Sequence, residues 1–213
     1  MRPPFIIIGM HRSGTTLLAK VLERSGIFMG VMKDPNFEAY HFLSLNQQSL
    51  AAAGGSWINP VRPRADISES ADVLYREHFK LNGRLAIWSN RLQNPAWGWK
   101  DPRNTFTLKL WLKLFPQAKV IHLKREQKAV VKSLQLRNRV PGEVHESALE
   151  DAQFCAQLHQ KYLEEAQSWQ KPLGDRYLEL DYAALLEPQS EGVQALSKFC
   201  GRPLQQALKE YLR

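Results

Sequence analysis

Eight residues, GMHRSGTT at positions 9–16, form the first group whose types and spacing could do chemistry. Gly9 and Gly14 stand five apart, in the frame of the phosphate-cradling pattern G-x-x-x-x-G-K-[ST], but Thr15 occupies the lysine position. A strand, a glycine turn and a helix start gather backbone N–H groups and the positive end of a helix dipole on one point. The dipole contributes about 0.3–1 kcal/mol, and ~2 when partly buried, so discrimination needs a cation. Arg12 supplies one, with a planar fork that matches oxyanions two bonds at a time. Ser13, Thr15 and Thr16 add hydroxyl donors. The missing lysine is the group that reaches the β- and γ-phosphates of a nucleoside triphosphate beside Mg²⁺. The loop is therefore poorly equipped for a metal-bound triphosphate and suits a phosphate carrying a less charged group.

The elements around this loop explain its placement. FIII at 5–8 is a short buried strand, and Leu17, Leu18, Val21 and Leu22 mark a helix from about Gly14 to Ser25, stopped by Gly26. A second helix is expected over 40–53, a loop over 54–70 and a helix over 71–91. WGWK at 97–100 reads as a buried strand, with a helix from Phe106 to Leu114 after it, and AKVIHLK at 118–124 is the clearest strand. An amphipathic helix runs over 146–169, RYLELDY at 176–182 is a further strand, and two helices close the chain. This alternation predicts an α/β fold of three layers, α/β/α, with a central parallel sheet, formed by one domain over 1–213. Ligands of such sheets bind beyond the carboxyl ends of the strands. The Gly9 loop, KDPR at 100–103 and Arg125 all fall at that rim. Arg125 and Ser133, eight residues apart, can meet at one phosphate only if the chain folds back between them.

Bulk composition narrows the partners. A net charge of +8 and a pI near 9.6 favour an anionic ligand. The densest basic stretch, residues 119–139, lacks the interleaved aromatics of a single-strand binder, so no nucleic acid is expected. No apolar run near the start is long enough for a signal sequence or a membrane span, which leaves the cytoplasm as the expected location. Cys155 and Cys200 have no metal-ligand spacing and are expected to be reduced thiols in helices.

GMHRSGTTLL resembles the 5′-phosphosulfate loop of sulfotransferases that use 3′-phosphoadenosine 5′-phosphosulfate (PAPS), a bacterial-type branch of the P-loop-like superfamily. KVIHLKREQKAVVKSL is similar to that family's second motif, an arginine at a strand end followed eight residues on by a helical serine. The resemblance implies that Arg12, Ser13, Gly14, Thr15 and Thr16 hold the 5′-phosphosulfate and that Arg125 and Ser133 bind the 3′-phosphate. WGWKDPRNTF resembles the family's lysine-x-proline segment and implies that Lys100 steadies charge near the transferring group. It leaves Arg103 unassigned. RYLELDYAALLEPQSEGVQALSKFCGRPL resembles the family's closing region, which concerns the fold. Members that sulfate phenols and steroids carry a catalytic histidine two residues after the lysine, and Pro102 stands there in this chain. In other branches a glutamate after the first helix is the base; Glu38 in DPNFEAYHF matches it, with His41 as rival. A Glu38 carboxylate beside Arg12 and Lys100 is expected to have a lowered pKa.

The resemblance thus implies sulfonyl transfer from PAPS, without a metal, to a hydroxyl or amine of a small-molecule or glycan acceptor, releasing 3′,5′-adenosine bisphosphate (PAP). Arg12, Lys100 and Glu38 would be the catalytic residues. Residues 54–95, with Trp57, Trp88 and Trp97 nearby, are expected to shape the acceptor site, where a tryptophan could stack on a sugar or pack a lipid, core packing being its commoner use. A small-molecule kinase and a catalytically silent nucleotide- or nucleic-acid-binding protein of the same fold stay open as alternatives.

Overall fold

Why the rim residues meet is a matter of strand register. The computed structural model describes residues 1–142 and 144–212. In it β1 (Phe5–Ile8) lies between β2 (Gly98–Lys100) and β3 (Lys119–Lys124), and β4 (Tyr177–Asp181) joins the far side of β3. All three pairings are parallel. Ile7 is level with Lys100 and with Ile121, and Lys124 with Asp181. The residues that follow β1, β2 and β3 are Gly9, Asp101 and Arg125, so the three expected segments leave the sheet along one edge.

Parallel strands need helical crossovers, and these cover both faces. β1 is buried at every position. Phe5 and Ile7 face one way, against Leu18, Val21 and Leu22 of α1 (Thr15–Arg24) and against the two closing helices. Ile6 and Ile8 face the other way, towards Phe42 of α2 (Tyr40–Ala52), α3 (Ala71–Phe79) and a tryptophan cluster of Trp97, Trp99 and Trp111. α4 (Arg84–Gln93) buries no residue, and Trp88 on it is 61% exposed. α5 (Asn104–Leu114) brings Trp111 to the tryptophan cluster. α6 (Gln127–Asn138) and α7 (Ala152–Gln167) enclose a third cluster around Met10, Val130, Leu134 and Tyr162. After α7 come α8 (Gln170–Leu173), α9 (Tyr182–Leu185), α10 (Glu191–Cys200) and α11 (Gln205–Tyr211). The three-layer architecture expected from the alternation is present.

Two helices differ from the sequence reading. Residues 71–91 are α3 and the start of α4, separated because Lys80 (φ 51°) and Gly83 (φ 85°) adopt left-handed backbone that a continuous helix does not allow. The span 146–169 is a 3₁₀ turn at Ser147–Glu150 followed by α7, because Asp151 leaves helical geometry and caps α7 through Gln153 N–H. Cys155 and Cys200 are free, buried and helical as expected. Among the described residues no helix is long and apolar enough to cross a membrane.

Candidate functional site

At the carboxyl edge of the sheet a cavity of about 320 Å³ opens above the Gly9 loop. Arg12 leads into it. Its backbone is left-handed (φ 70°), a conformation that costs a non-glycine residue about 1–2 kcal/mol and recurs at functional loops. Next to it Gly14 (φ 91°) precedes α1, and a Cβ there would overlap the Tyr182 ring. Gly14 is thus required twice, by backbone and by space. Leu18 N–H is the first in α1 to find a helical acceptor, Gly14 O (3.2 Å), so the N–H groups before it are left without one by helix geometry, and Thr15 and Thr16 of that turn line the cavity. Thr16 Oγ1 is anchored on Asn36 O (2.9 Å), tying α1 to the segment that carries Glu38.

The loop and the second motif meet. Arg12 Nε donates to Ser133 Oγ (3.0 Å), and Arg125 Nη1 donates to Arg12 O (3.1 Å). The Arg125 guanidinium also lies 4.5 Å above the Tyr182 ring. His159 Nε2 is 3.1 Å from Arg125 O and braces that turn. Residues 121 positions apart therefore line one wall of the cavity. Ser13 is placed differently: its side chain is buried under the loop, its Oγ has no partner among the described residues, and it does not line the cavity.

The opposite wall is a buried ionic cluster. Lys100 Nζ donates to Glu38 Oε1 (3.0 Å) and Arg103 Nη1 to Glu38 Oε2 (3.1 Å). Arg103 Nη1 also reaches Asp101 Oδ1 (3.0 Å). Asp34 Oδ1 accepts the Glu38 backbone N–H (2.7 Å), which fixes the turn before α2. The expected lowering of the Glu38 pKa is corrected here. Burial raises it, the Asp101 charge adds to that, and Lys100 and Arg103 pull the other way without prevailing. A carboxylate raised in this way is the more basic one. Burial works against the Arg103 charge, yet Asp101 and Glu38 outweigh it and raise the Arg103 pKa.

Five cationic side chains, Arg12, Lys100, Arg103, Arg125 and Arg137, line the cavity against the carboxylates Asp34 and Glu38. His11 registers that imbalance: burial, then Arg103, Lys100, Arg137 and Arg12, hold its pKa well below 6.5, so its ring is neutral at pH 7. Trp57 packs against His11 with the rings tilted by 48° and 4.6 Å between centroids, and it lines the cavity. Of the other expected acceptor-site tryptophans, Trp97 is wholly buried in the core and Trp88 stands exposed on α4, so neither lines it. His41 pairs with Glu69 (2.8 Å) and does not line it either. Sequence reasoning overlooked Tyr182, His159, Asp34 and Asp101. DY at 181–182, where a strand ends, was the available signal for Tyr182.

A profile described as "Sulfotransferase family" matches residues 3–206. This chain belongs to the sulfotransferase family. Solved structures share the fold at low identity, and at that level the likeness speaks for fold alone. The sulfotransferase domain from the curacin biosynthetic pathway has TM-score 0.60 and 17% identity, over 98% of this chain and 77% of that one. The sulfotransferase domain of the Synechococcus PCC 7002 olefin synthase has TM-score 0.57 and 22% identity, over 97% and 76%. A sulfotransferase from Alicyclobacillus acidocaldarius has TM-score 0.53 and 14% identity, over 100% and 92%. An uncharacterized protein of Aquifex aeolicus (strain VF5) is 25% identical over 211 residues, 99% of this chain, and this sulfotransferase chain spans 27% of that relative's length.

Proposed function

We propose that the chain transfers a sulfonyl group from PAPS to the hydroxyl or amine of a small-molecule or glycan acceptor in the cytoplasm, releasing PAP. The observation that carries this reading is the meeting of Arg12, Ser133 and Arg125 on one cavity wall, opposite Glu38 and Lys100. Five cations around one cavity fit a ligand with phosphates at two positions, and Arg125 and Ser133 beside Arg12 give the second phosphate its own partners.

When bound, the donor supplies an activated sulfonyl on a phosphate leaving group. Arg12, Thr15, Thr16 and the α1 N-terminus would hold its 5′-phosphate and take up the charge left there when the bond to sulfur breaks. Lys100, on the cavity wall, would add a second cation to that charge. Losing one such donor costs roughly 2.7–4 kcal/mol in comparable sites. Glu38 accepts the acceptor's proton while the acceptor oxygen or nitrogen bonds to sulfur, and bases of this kind contribute about 10²–10⁴-fold. His11, neutral and packed against Trp57, walls the acceptor side without competing for the proton.

The test is a thermal melt without magnesium, comparing PAP with ADP and ATP. Ligand at 100-fold over Kd stabilises by about 2.7 kcal/mol, which for a chain this size raises Tm by roughly 5–11 °C. The expected result is that shift for PAP alone. A shift with ATP instead, or with none of the three, refutes the assignment.

A further inference from the structure

The carboxylate of Asp101 is the most costly feature beside the cavity. Its side chain is 1% exposed, and it sits with three further charged side chains, Glu38 (5%), Lys100 (1%) and Arg103 (12%), none of which reaches bulk water freely. Burying charge is expensive, and a fold can usually spare itself the expense with apolar residues of similar volume. A turn-capping role does not account for it. Asp101 Oδ1 does accept the Arg103 N–H (2.9 Å), but an exposed aspartate or serine would serve as well. What a cap would not need is the rest of the arrangement. Asp101 Oδ1 also takes Arg103 Nη1, and Asp101 Oδ2 takes Asn46 Nδ2 (2.8 Å). Asn46 is in turn fixed on all sides by Asn104, Thr107 and Trp111. Asp101 is thus tied to the tryptophan core on one side and to a guanidinium on the other. That guanidinium ends on Glu38 Oε2.

We propose that the Asp101–Arg103 pair is the positioning element of this site: anchored through Asn46, it clamps Glu38 Oε2 so that the carboxylate stays aimed into the cavity when Lys100 leaves Oε1 for the donor. This rests on the reading of Glu38 as base and Lys100 as donor contact given above. The logic is one of division of labour. Glu38 is held by two cations, and one of them has a second task at the leaving oxygen. A base held only by Lys100 would lose its orientation at the moment it is needed. Arg103, held by a second carboxylate, has no reason to follow. The pair also sets the charge around Glu38. Asp101 raises its pKa and Arg103 lowers it, while Lys100, Asp34, Arg12, the neutral His11 and the Tyr162 phenol complete its surroundings.

The experiment is a ¹³C-carboxyl NMR titration of Glu38 in the full chain, assigned with Glu38→Gln, in wild type, Asp101→Asn and Arg103→Gln. Removing Asp101's charge is expected to move the Glu38 titration to lower pH, and removing Arg103's charge to move it to higher pH. A role in packing alone predicts something else: either variant lets water in, and both move the titration downward. Movement in the same direction, or none, overturns the proposal. Should Asp101→Asn not fold, Arg103→Gln decides alone, a rise supporting the clamp and a fall or no change overturning it. PAP titrated into the wild type separates this from the donor assignment. Added PAP is expected to raise the Glu38 titration as Lys100 turns away, and no change on saturation overturns the clamp. Absence of PAP binding refutes the donor reading, while the two substitutions still judge the clamp.

Discussion

Gly14→Ala is the perturbation that couples backbone, packing and site most directly. Two costs can be separated. The backbone stands at φ 91°, where a Cβ is disfavoured by about 1–2 kcal/mol. The added methyl would also overlap the Tyr182 ring, which cannot move freely because the Arg125 guanidinium lies 4.5 Å above it. Overpacking of this kind costs about 1–3 kcal/mol. Together these give roughly 2–5 kcal/mol, or a Tm lowered by about 4–20 °C. The assay is a double-mutant cycle with Tyr182→Ala, measured by urea unfolding. In the Tyr182→Ala background the steric part vanishes and only the backbone part remains, so Gly14→Ala should cost about 1–3 kcal/mol less there. PAP affinity should fall in Gly14→Ala as well, because displacing Tyr182 releases Arg125. A coupling energy of zero would falsify the reasoning, as it would mean that Tyr182 does not limit the space at Gly14.

Arg12→Ala should weaken PAP binding roughly 10–150-fold by calorimetry, the loss of a charge-assisted hydrogen bond of about 1.5–3 kcal/mol. Arg12→Gly should bind as weakly yet unfold about 1 kcal/mol later than Arg12→Ala, since glycine relieves the left-handed strain; equal stability argues against that strain. Glu38→Gln should bind PAP no more weakly than wild type, and a collapse of affinity would make Glu38 a structural residue instead of the base. Glu179, away from the cavity, tests the electrostatics of the sheet. The hydrogen bond from His122 leads in lowering its pKa to about 2, burial opposes it, and Lys124 and Gln167 add to it. A depressed carboxylate stabilises the fold above its unfolded value and loses that contribution as pH falls towards the folded one. Glu179→Gln should therefore cost at most about 3 kcal/mol at pH 7, and its gap to wild type should close between pH 4.5 and about 2. A gap that persists at pH 3 at its neutral size contradicts the assignment.

Sequence alone determined the parts that depend on local pattern. The buried run FIII, the turn of Gly9 to Gly14 and the apolar spacing of Leu17 to Leu22 specify a strand, a loop and a helix by backbone geometry, and they do so before any tertiary contact forms. Arg125 at a strand end and Ser133 on the next helix are legible as positions, but it is Arg12, far away in the chain, that links them at the cavity. Alternation of strands and helices was enough for a parallel sheet, and the cavity opens at its carboxyl edge. What depended on distant neighbours was out of reach. Lys80 and Gly83 divide a stretch whose composition reads as one helix. Trp57, Trp88 and Trp97 look alike in sequence, yet one lines the cavity, one is exposed and one is core. Ser13 was read as a donor beside Thr15 and Thr16, and only the loop's path turns it beneath the surface. The sign of the Glu38 shift is the sharpest case. Counting nearby cations predicts a lowered pKa, but desolvation and the Asp101 carboxylate act through burial and through a neighbour 63 residues away in the chain, and neither exists until the sheet and α5 bring them together. Local pattern fixes which residue types stand at the rim; the packed interior decides which of them meet and in which direction the Glu38 carboxyl shifts.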